Sequence, residues 1–253
     1  MKTDCSYSAT QRKPCPFKSR YFFAICSRAL RNCLSAGALA VFTIAVHPAA
    51  AQPAPPAPQT RFVVVLDAAH GGDDTGGHLA NDQLEKSFTL ALSVRLRSLL
   101  AARGIQVVTT RESDGTVEPN KRAEIANHAQ AQACLILHAS ESGSGIHLFA
   151  SSLAPAQPTR FIAWKTAQAA WVSRSLALAG TLNSALQQAG MIVTLGQTTV
   201  PSLDSMTCPA VAVEVAPEKS ADKKSALNDP DYQARVAAAL AAALLEWRTE
   251  AQP

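Results

Sequence analysis

Two histidines and two glutamates stand out by where they fall in this 253-residue chain. His70 follows the apolar run Phe62–Leu66 and Asp67, and precedes Gly71-Gly72. His138 closes the apolar segment "CLILHAS", and Glu214 lies inside "PAVAVEVA". Glu85, fifteen residues after His70, opens a stretch with helical periodicity. Two imidazoles and a carboxylate, with a fourth position left open, form a hydrolytic zinc set. Such a metal acidifies a water, and a second carboxylate takes the proton. Spacing alone does not assign these roles. A histidine beside Gly-Gly also serves as a turn residue, His138 as a core histidine, and Glu85 as a first-turn complement to a helix dipole. Glu214 carries more weight, because a carboxylate buried in an apolar strand needs a metal, a partner or a raised pKa. His78, in a glycine-rich loop, is an alternative ligand. His147 opens a strand and its role stays open; His128 reads as solvated, on a helix among Asn and Gln.

The elements that must position these groups alternate in type. "RFVVVLDAA", "IQVVTTR", "CLILHAS", "GIHLFAS", "MIVTLGQ" and "PAVAVEVA" read as strands, short and rich in β-branched residues. "LEKSFTLALSVRLRSLLAARG" reads as a helix, with Leu84, Phe88, Leu92, Leu96 and Leu99 or Leu100 on one face and Gly104 as its stop. "PNKRAEIANHAQAQA" reads as a second helix, and the run from Trp164 to Gly190 as one long third helix. "DPDYQARVAAALAAALLEW" reads as a last helix, capped at Asp229 with Pro230 in its first turn. Alternating strands and helices predict an α/β fold: one domain over residues 61–250, a mostly parallel central sheet, and helices on both faces. In such a sheet, sites form at the carboxyl ends of strands, where His70, His138 and Glu214 fall.

Residues 1–51 read as a separate segment. Seven of the 23 basic side chains and one of the 19 acidic ones lie there, and the apolar run Leu34–Val46 is followed by "HPAAAQ". This is the pattern of a signal peptide cleaved near Ala51; the run is too short to span a bilayer as a mature helix. Residues 52–60 are a Pro/Ala-rich linker. The part beyond Ala51 keeps sixteen basic and eighteen acidic residues. The basic excess therefore belongs to the leader and argues for no nucleic-acid partner. A periplasmic or otherwise secreted protein, with no stable membrane anchor after processing, is expected. Four of the six cysteines also lie in the leader. Cys134 and Cys208 are too few for a disulfide framework; an oxidising compartment permits one bridge between them, the other reading being two buried thiols, and each starts a site-bearing strand, which places the two close together.

In order and spacing, five blocks resemble the zinc-dependent N-acetylmuramoyl-L-alanine amidases. They are "VVVLDAAHGGDDTGG", "LEKSFTLALSVRLRSLLAARGIQVVTTRESD", "KRAEIANHAQAQACLILHAS", "CPAVAVEVAPEKSADKKSALND" and "PDYQARVAAALAAAL". The resemblance implies that His70, Glu85 and His138 bind Zn²⁺ and that Glu214 is the catalytic carboxylate. It further implies hydrolysis of the amide between the N-acetylmuramoyl lactyl group and L-alanine of the peptidoglycan stem peptide, with room for an activator protein. The chain departs from the family pattern at Ala69, where the family has glycine; at Ser140, where it has asparagine; and at Val215-Ala216, where it has Gly-Phe. The segment Ala154–Ala170 has no family counterpart and reads as a lid, a substrate wall or a packed surface loop. These departures keep two alternatives in view: a non-hydrolytic peptidoglycan-binding domain that retains the metal site, and a zinc peptidase acting within the stem peptide.

Overall fold

The computed structural model describes residues 61–157, 161–219 and 224–251; the leader and linker expected over residues 1–60 lie outside them. Six strands form one sheet: β1 (Val63–Ala68), β2 (Gln106–Thr109), β3 (Ala133–Ala139), β4 (Ile146–Ser151), β5 (Val193–Thr198) and β6 (Ala210–Val215). Their order is β2-β1-β3-β6-β4-β5. Every neighbouring pair is parallel except β4 with β6. The short strands β7 (Glu218–Lys219) and β8 (Lys224–Ser225) make a separate hairpin.

Side-chain alternation along the strands builds two cores. On one face, Val64, Leu66, Leu135, Leu137, Val211 and Val213 pack with α1 (Glu85–Ala101), α3 (Val172–Gln188) and α5 (Pro230–Ala251). On the other, Val65, Cys134, Ile136 and Ala212 meet α2 (Pro119–His128) and the single turn α4 (Pro201–Asp204). Phe88, Leu92, Leu96 and Leu100 of α1 are buried in helical register. Gly104 ends that helix with φ +75°, and the Ile105 amide reaches back to the Leu100 carbonyl. The Asp229 carboxylate accepts from the Asp231 amide at the start of α5.

The structure corrects two sequence expectations. The run from Trp164 to Gly190 is not one helix. Trp164–Ala170 is a tight 3₁₀ stretch, interrupted by the non-helical Thr166, and α3 starts only at Val172. Buried Gln168 explains the break: its amide donates to the carbonyls of Leu203, Met206 and Cys208, and its oxygen accepts from Ser175. These bonds tie the segment to the loop around α4 and hold it off the helix axis. Trp164 stays half exposed and Phe161 is 90% exposed. The second correction concerns the cysteines, which are not free thiols. Cys134 in β3 and Cys208 before β6 form a disulfide, with Cα atoms 6.4 Å apart.

That bridge closes a loop across 74 positions; disulfides of this kind stabilise by about 2–4 kcal/mol, and loop-closure entropy alone puts this one near the upper end of that range. Replacing both cysteines by serine lowers the unfolding free energy in urea by that amount. Thiol counting on the denatured, unreduced protein finds no free thiol at either position; two reactive thiols would refute the bridge.

Candidate metal centre

Three donors from three elements meet at the carboxyl edge of the sheet. Glu85 enters from the first turn of α1, His138 from the end of β3, and His70 from the turn after β1. Their ligand atoms all lie within 4.8 Å of one another. The Glu85 carboxylate stands between the imidazoles, with Oε1 2.9 Å from His138 Nδ1 and Oε2 3.1 Å from His70 Nε2. The two rings meet edge to face, centroids 5.3 Å apart. Backbone N–H groups of Gly77 and Ala139 donate to the same carboxylate. Glu85 therefore does more than complement the dipole of α1.

This packing sets the charges. Burial pushes the Glu85 carboxyl upward, but its hydrogen bonds to His138, His70 and the Gly77 and Ala139 amides outweigh it and hold the group well below the usual carboxylate range. His70 is raised, chiefly by the hydrogen bond to Glu85; burial opposes this, and Asp74 adds to it. Asp74 Oδ2 sits 2.9 Å from His70 Nδ1. It fixes the ring so that Nε2 faces the cluster, as carboxylates do for metal-binding histidines. Two imidazole nitrogens and a carboxylate oxygen, collected by a pre-formed cage of hydrogen bonds, suit a borderline divalent cation.

The turn that carries His70 is held by two buried arginines. His70, Gly71 and Gly72 all have positive φ (62°, 133° and 61°), so the chain leaves β1 through a left-handed turn. Its carbonyls need internal donors. Arg122 of α2 donates to the carbonyls of Ala68 and His70, both at 2.7 Å, and to Asp67 Oδ1 at 2.6 Å. Arg111, after β2, donates to the carbonyls of Ala68, Ala69 and Lys86. Burial and the nearby Arg122 charge lower Arg111 from its ordinary value. Ala69 is not among the positive-φ residues, so alanine in place of glycine costs this turn no backbone strain. A β-carbon on Gly71 would fall 2.4 Å from the Gly115 carbonyl oxygen, and one on Gly76 within 3 Å of both His70 and Glu85.

Glu214 lies one strand over. β3 and β6 pair with His138 opposite Glu214, and β4 and β6 with His147 opposite Glu214. The three residues form one row on the face that also carries Ile136 and Ala212. Glu214 is only half-buried; the edge of the sheet, not the apolar interior, is its setting. Beside the cluster, a cavity of about 150 Å³ is bordered by Asp67, Arg122, Ile136, Pro119, Val200 and Pro201. Neither His78 nor His128 joins the cluster. Both are exposed, and the His128 ring faces Glu124 at 3.8 Å. Ser140 hydrogen-bonds locally with Ser142. Asp74, Arg111 and Arg122 were not singled out as site residues from sequence. The available signal was an arginine falling among the buried Ala123 and Ala126 of α2.

The fold and the three-donor cluster define a chain with a place for a metal ion at the carboxyl edge of a parallel sheet. A family model described as N-acetylmuramoyl-L-alanine amidase (Amidase_3) matches residues 64–246, and the chain belongs to that family. It is 26% identical over 213 residues to the germination-specific N-acetylmuramoyl-L-alanine amidase of Bacillus subtilis, covering 76% of this chain and 82% of that one. The catalytic domain of CwlV, the N-acetylmuramoyl-L-alanine amidase of Bacillus (Paenibacillus) polymyxa, superposes with TM-score 0.59 at 25% identity, over 74% of this chain and 98% of that chain. The CwlD amidase of Clostridioides difficile, solved in complex with the GerS lipoprotein, shares the fold at TM-score 0.58 and 19% identity, over 75% of this chain and all of that one.

Two substitutions test the supports. Asp74→Ala leaves the fold intact but weakens binding of a divalent cation about 10- to 100-fold, read by titrating metal-free protein; unchanged affinity would remove Asp74 from the site. Arg122→Met removes the ion-pair partner of Asp67 and leaves only Thr110 on its carboxylate, where Arg122 and Asp67 side chains are only 8% and 1% exposed. It costs roughly 3–5 kcal/mol in urea unfolding; a loss below about 1 kcal/mol, the scale of a surface pair, would mean the pair is not buried in solution.

Proposed function

We propose that the protein is a zinc-dependent peptidoglycan hydrolase that cleaves the amide between the N-acetylmuramoyl lactyl group and L-alanine of the stem peptide. Supporting this is one observation above all: His70, Glu85 and His138 converge, with donor atoms within 4.8 Å, in a chain of the amidase family. In this reading those three residues hold Zn²⁺. When bound, the ion supplies Lewis-acid polarisation of the scissile carbonyl and lowers the pKa of a water. Asp74 keeps His70 in the tautomer whose Nε2 is free to ligate. Glu214, next to His138 across the sheet, takes the proton of the attacking water. As the carbon–oxygen bond forms and the carbon–nitrogen bond breaks, Glu214 returns that proton to the alanine amine.

The same reading places the protein in the periplasm or outside the cell. The leader-like pattern of residues 1–51 supports it, as does a disulfide in the domain, which belongs to an oxidising compartment. Among the described residues no helix is long and apolar enough to cross a membrane. Regulation by a partner protein is part of the proposal; CwlD, in its complex with GerS, sets the precedent for an assembly on this fold.

Digestion of purified sacculi by the zinc-loaded protein, read by mass spectrometry, tests the reaction. The expected products separate the lactyl end from the alanine end. Cuts within the stem peptide would indicate a peptidase, binding without release a non-hydrolytic domain, and intact sacculi contradict the proposal. Glu214→Ala lowers turnover by on the order of 10²- to 10⁴-fold and keeps the metal, whereas His70→Ala loses it. Equal metal loss in both variants would contradict the role given to Glu214.

A further inference from the structure

His147 is the polar group of this edge that the reading above leaves unused. It sits in the same row as His138 and Glu214, directly opposite Glu214 in the antiparallel β4–β6 pair. Paired residues in such a register have Cβ atoms about 4.5–5.5 Å apart; the two groups do not hydrogen-bond in this structure, but a side-chain rotation brings them into contact. Neither has a protein partner here. Nε2 of His147 is buried with no hydrogen-bond partner, and among the described residues the Glu214 carboxylate has no side-chain partner either. A buried polar nitrogen left unpaired is destabilising, and pairing with its neighbour relieves it.

The surroundings are shaped for this ring. It stacks on Phe149, two residues further along the same face of β4, with planes 8° apart and centroids 6.4 Å apart. A β-carbon on Gly143 would stand 2.8 Å from Nε2 and 3.1 Å from Cε1; Gly143 also has φ +82°. The positive φ favours glycine there, and its missing side chain leaves room for the imidazole. A half-turn of the ring about its Cβ–Cγ bond keeps its plane parallel to Phe149 and exchanges which edge, nitrogen or carbon, is turned to Glu214.

We infer that His147 is a positioning residue for Glu214: in the working site its imidazole hydrogen-bonds the carboxylate and holds it along the row toward His138, on the side away from the metal cluster's other two donors. The pair itself stands on register and burial; its consequence for turnover rests on the amidase reading. A carboxylate at a half-open sheet edge otherwise swings into water, and small displacements of a reacting group are costly in rate.

Two measurements on the zinc-loaded full chain decide this. The first needs no activity: ring-nitrogen NMR of wild type and Glu214→Gln, with the His147 signals assigned by their loss in His147→Gln. The His147 nitrogens shift when Glu214 becomes an amide; signals that stay in place overturn the pair. The second is kinetics on sacculi. His147→Phe, which keeps the stacking surface, lowers kcat by on the order of 10- to 100-fold with KM within about twofold, unchanged zinc content and unchanged melting temperature. His147→Gln, which restores an N–H donor, recovers part of kcat. Full kcat in His147→Phe, a rise in KM in place of the fall in kcat, or a loss that glutamine does not relieve each overturn the positioning role. If His147→Phe fails to fold, the NMR comparison still decides. Should the wild type release no product at all, the amidase reading fails while the NMR result stands on its own.

Discussion

The carbonyl oxygens of Ala68, Ala69 and His70 point inward at the end of β1, and two buried guanidinium groups take them up. This is the interaction on which the edge of the sheet depends. A strand that turns through three consecutive positive-φ residues has no helix or ladder to satisfy its backbone. Arg122 and Arg111 satisfy it instead. Asp67 offsets part of their charge, with Thr110 donating to the same carboxylate oxygen. Rigid arginine forks suit this role better than lysine, because one side chain fixes two or three acceptors at once.

From that turn the rest of the centre follows. His70 faces back toward the start of α1, where Glu85 reaches both imidazoles and two backbone amides. Lys86, the next residue, donates to the Gly72 carbonyl and pairs with Asp114, so the loop is fastened on its outer side as well. The strand order β1-β3-β6-β4 then lays His138, Glu214 and His147 side by side. The one antiparallel pairing of the sheet, β4 with β6, is what brings His147, at the start of its strand, to the edge where β3 and β6 end.

Much of this was legible in the sequence because the signals were local. Runs of β-branched residues ending in His70 and His138 mark strand ends, and the leucine spacing of α1 marks a helix that begins at Glu85. The supports were harder to read because they act over distance. Arg122 lies 52 positions from the His70 carbonyl it holds, and nothing in a helix reading of "PNKRAEIANHAQ" aims its side chain there. Gln168 broke the expected long helix for the same reason: its three carbonyl partners come 35 to 40 residues later. The cysteine pairing depended on β3 and β6 becoming neighbours, which a list of strands does not specify. Ala69 stands out in the sequence only as alanine where the resembling family has glycine; the positive φ falls on His70 and the glycines after it, which a residue-by-residue match does not reveal.

In the proposed function the arginine-held turn brings His70, His138 and Glu85 onto one metal ion. X-ray absorption at the zinc edge, on metal-free protein reloaded with one equivalent of Zn²⁺, tests it most directly. One tightly held ion with two imidazole ligands and otherwise oxygen donors is expected. A spectrum with one imidazole or none, or with sulfur in the coordination shell, would contradict it.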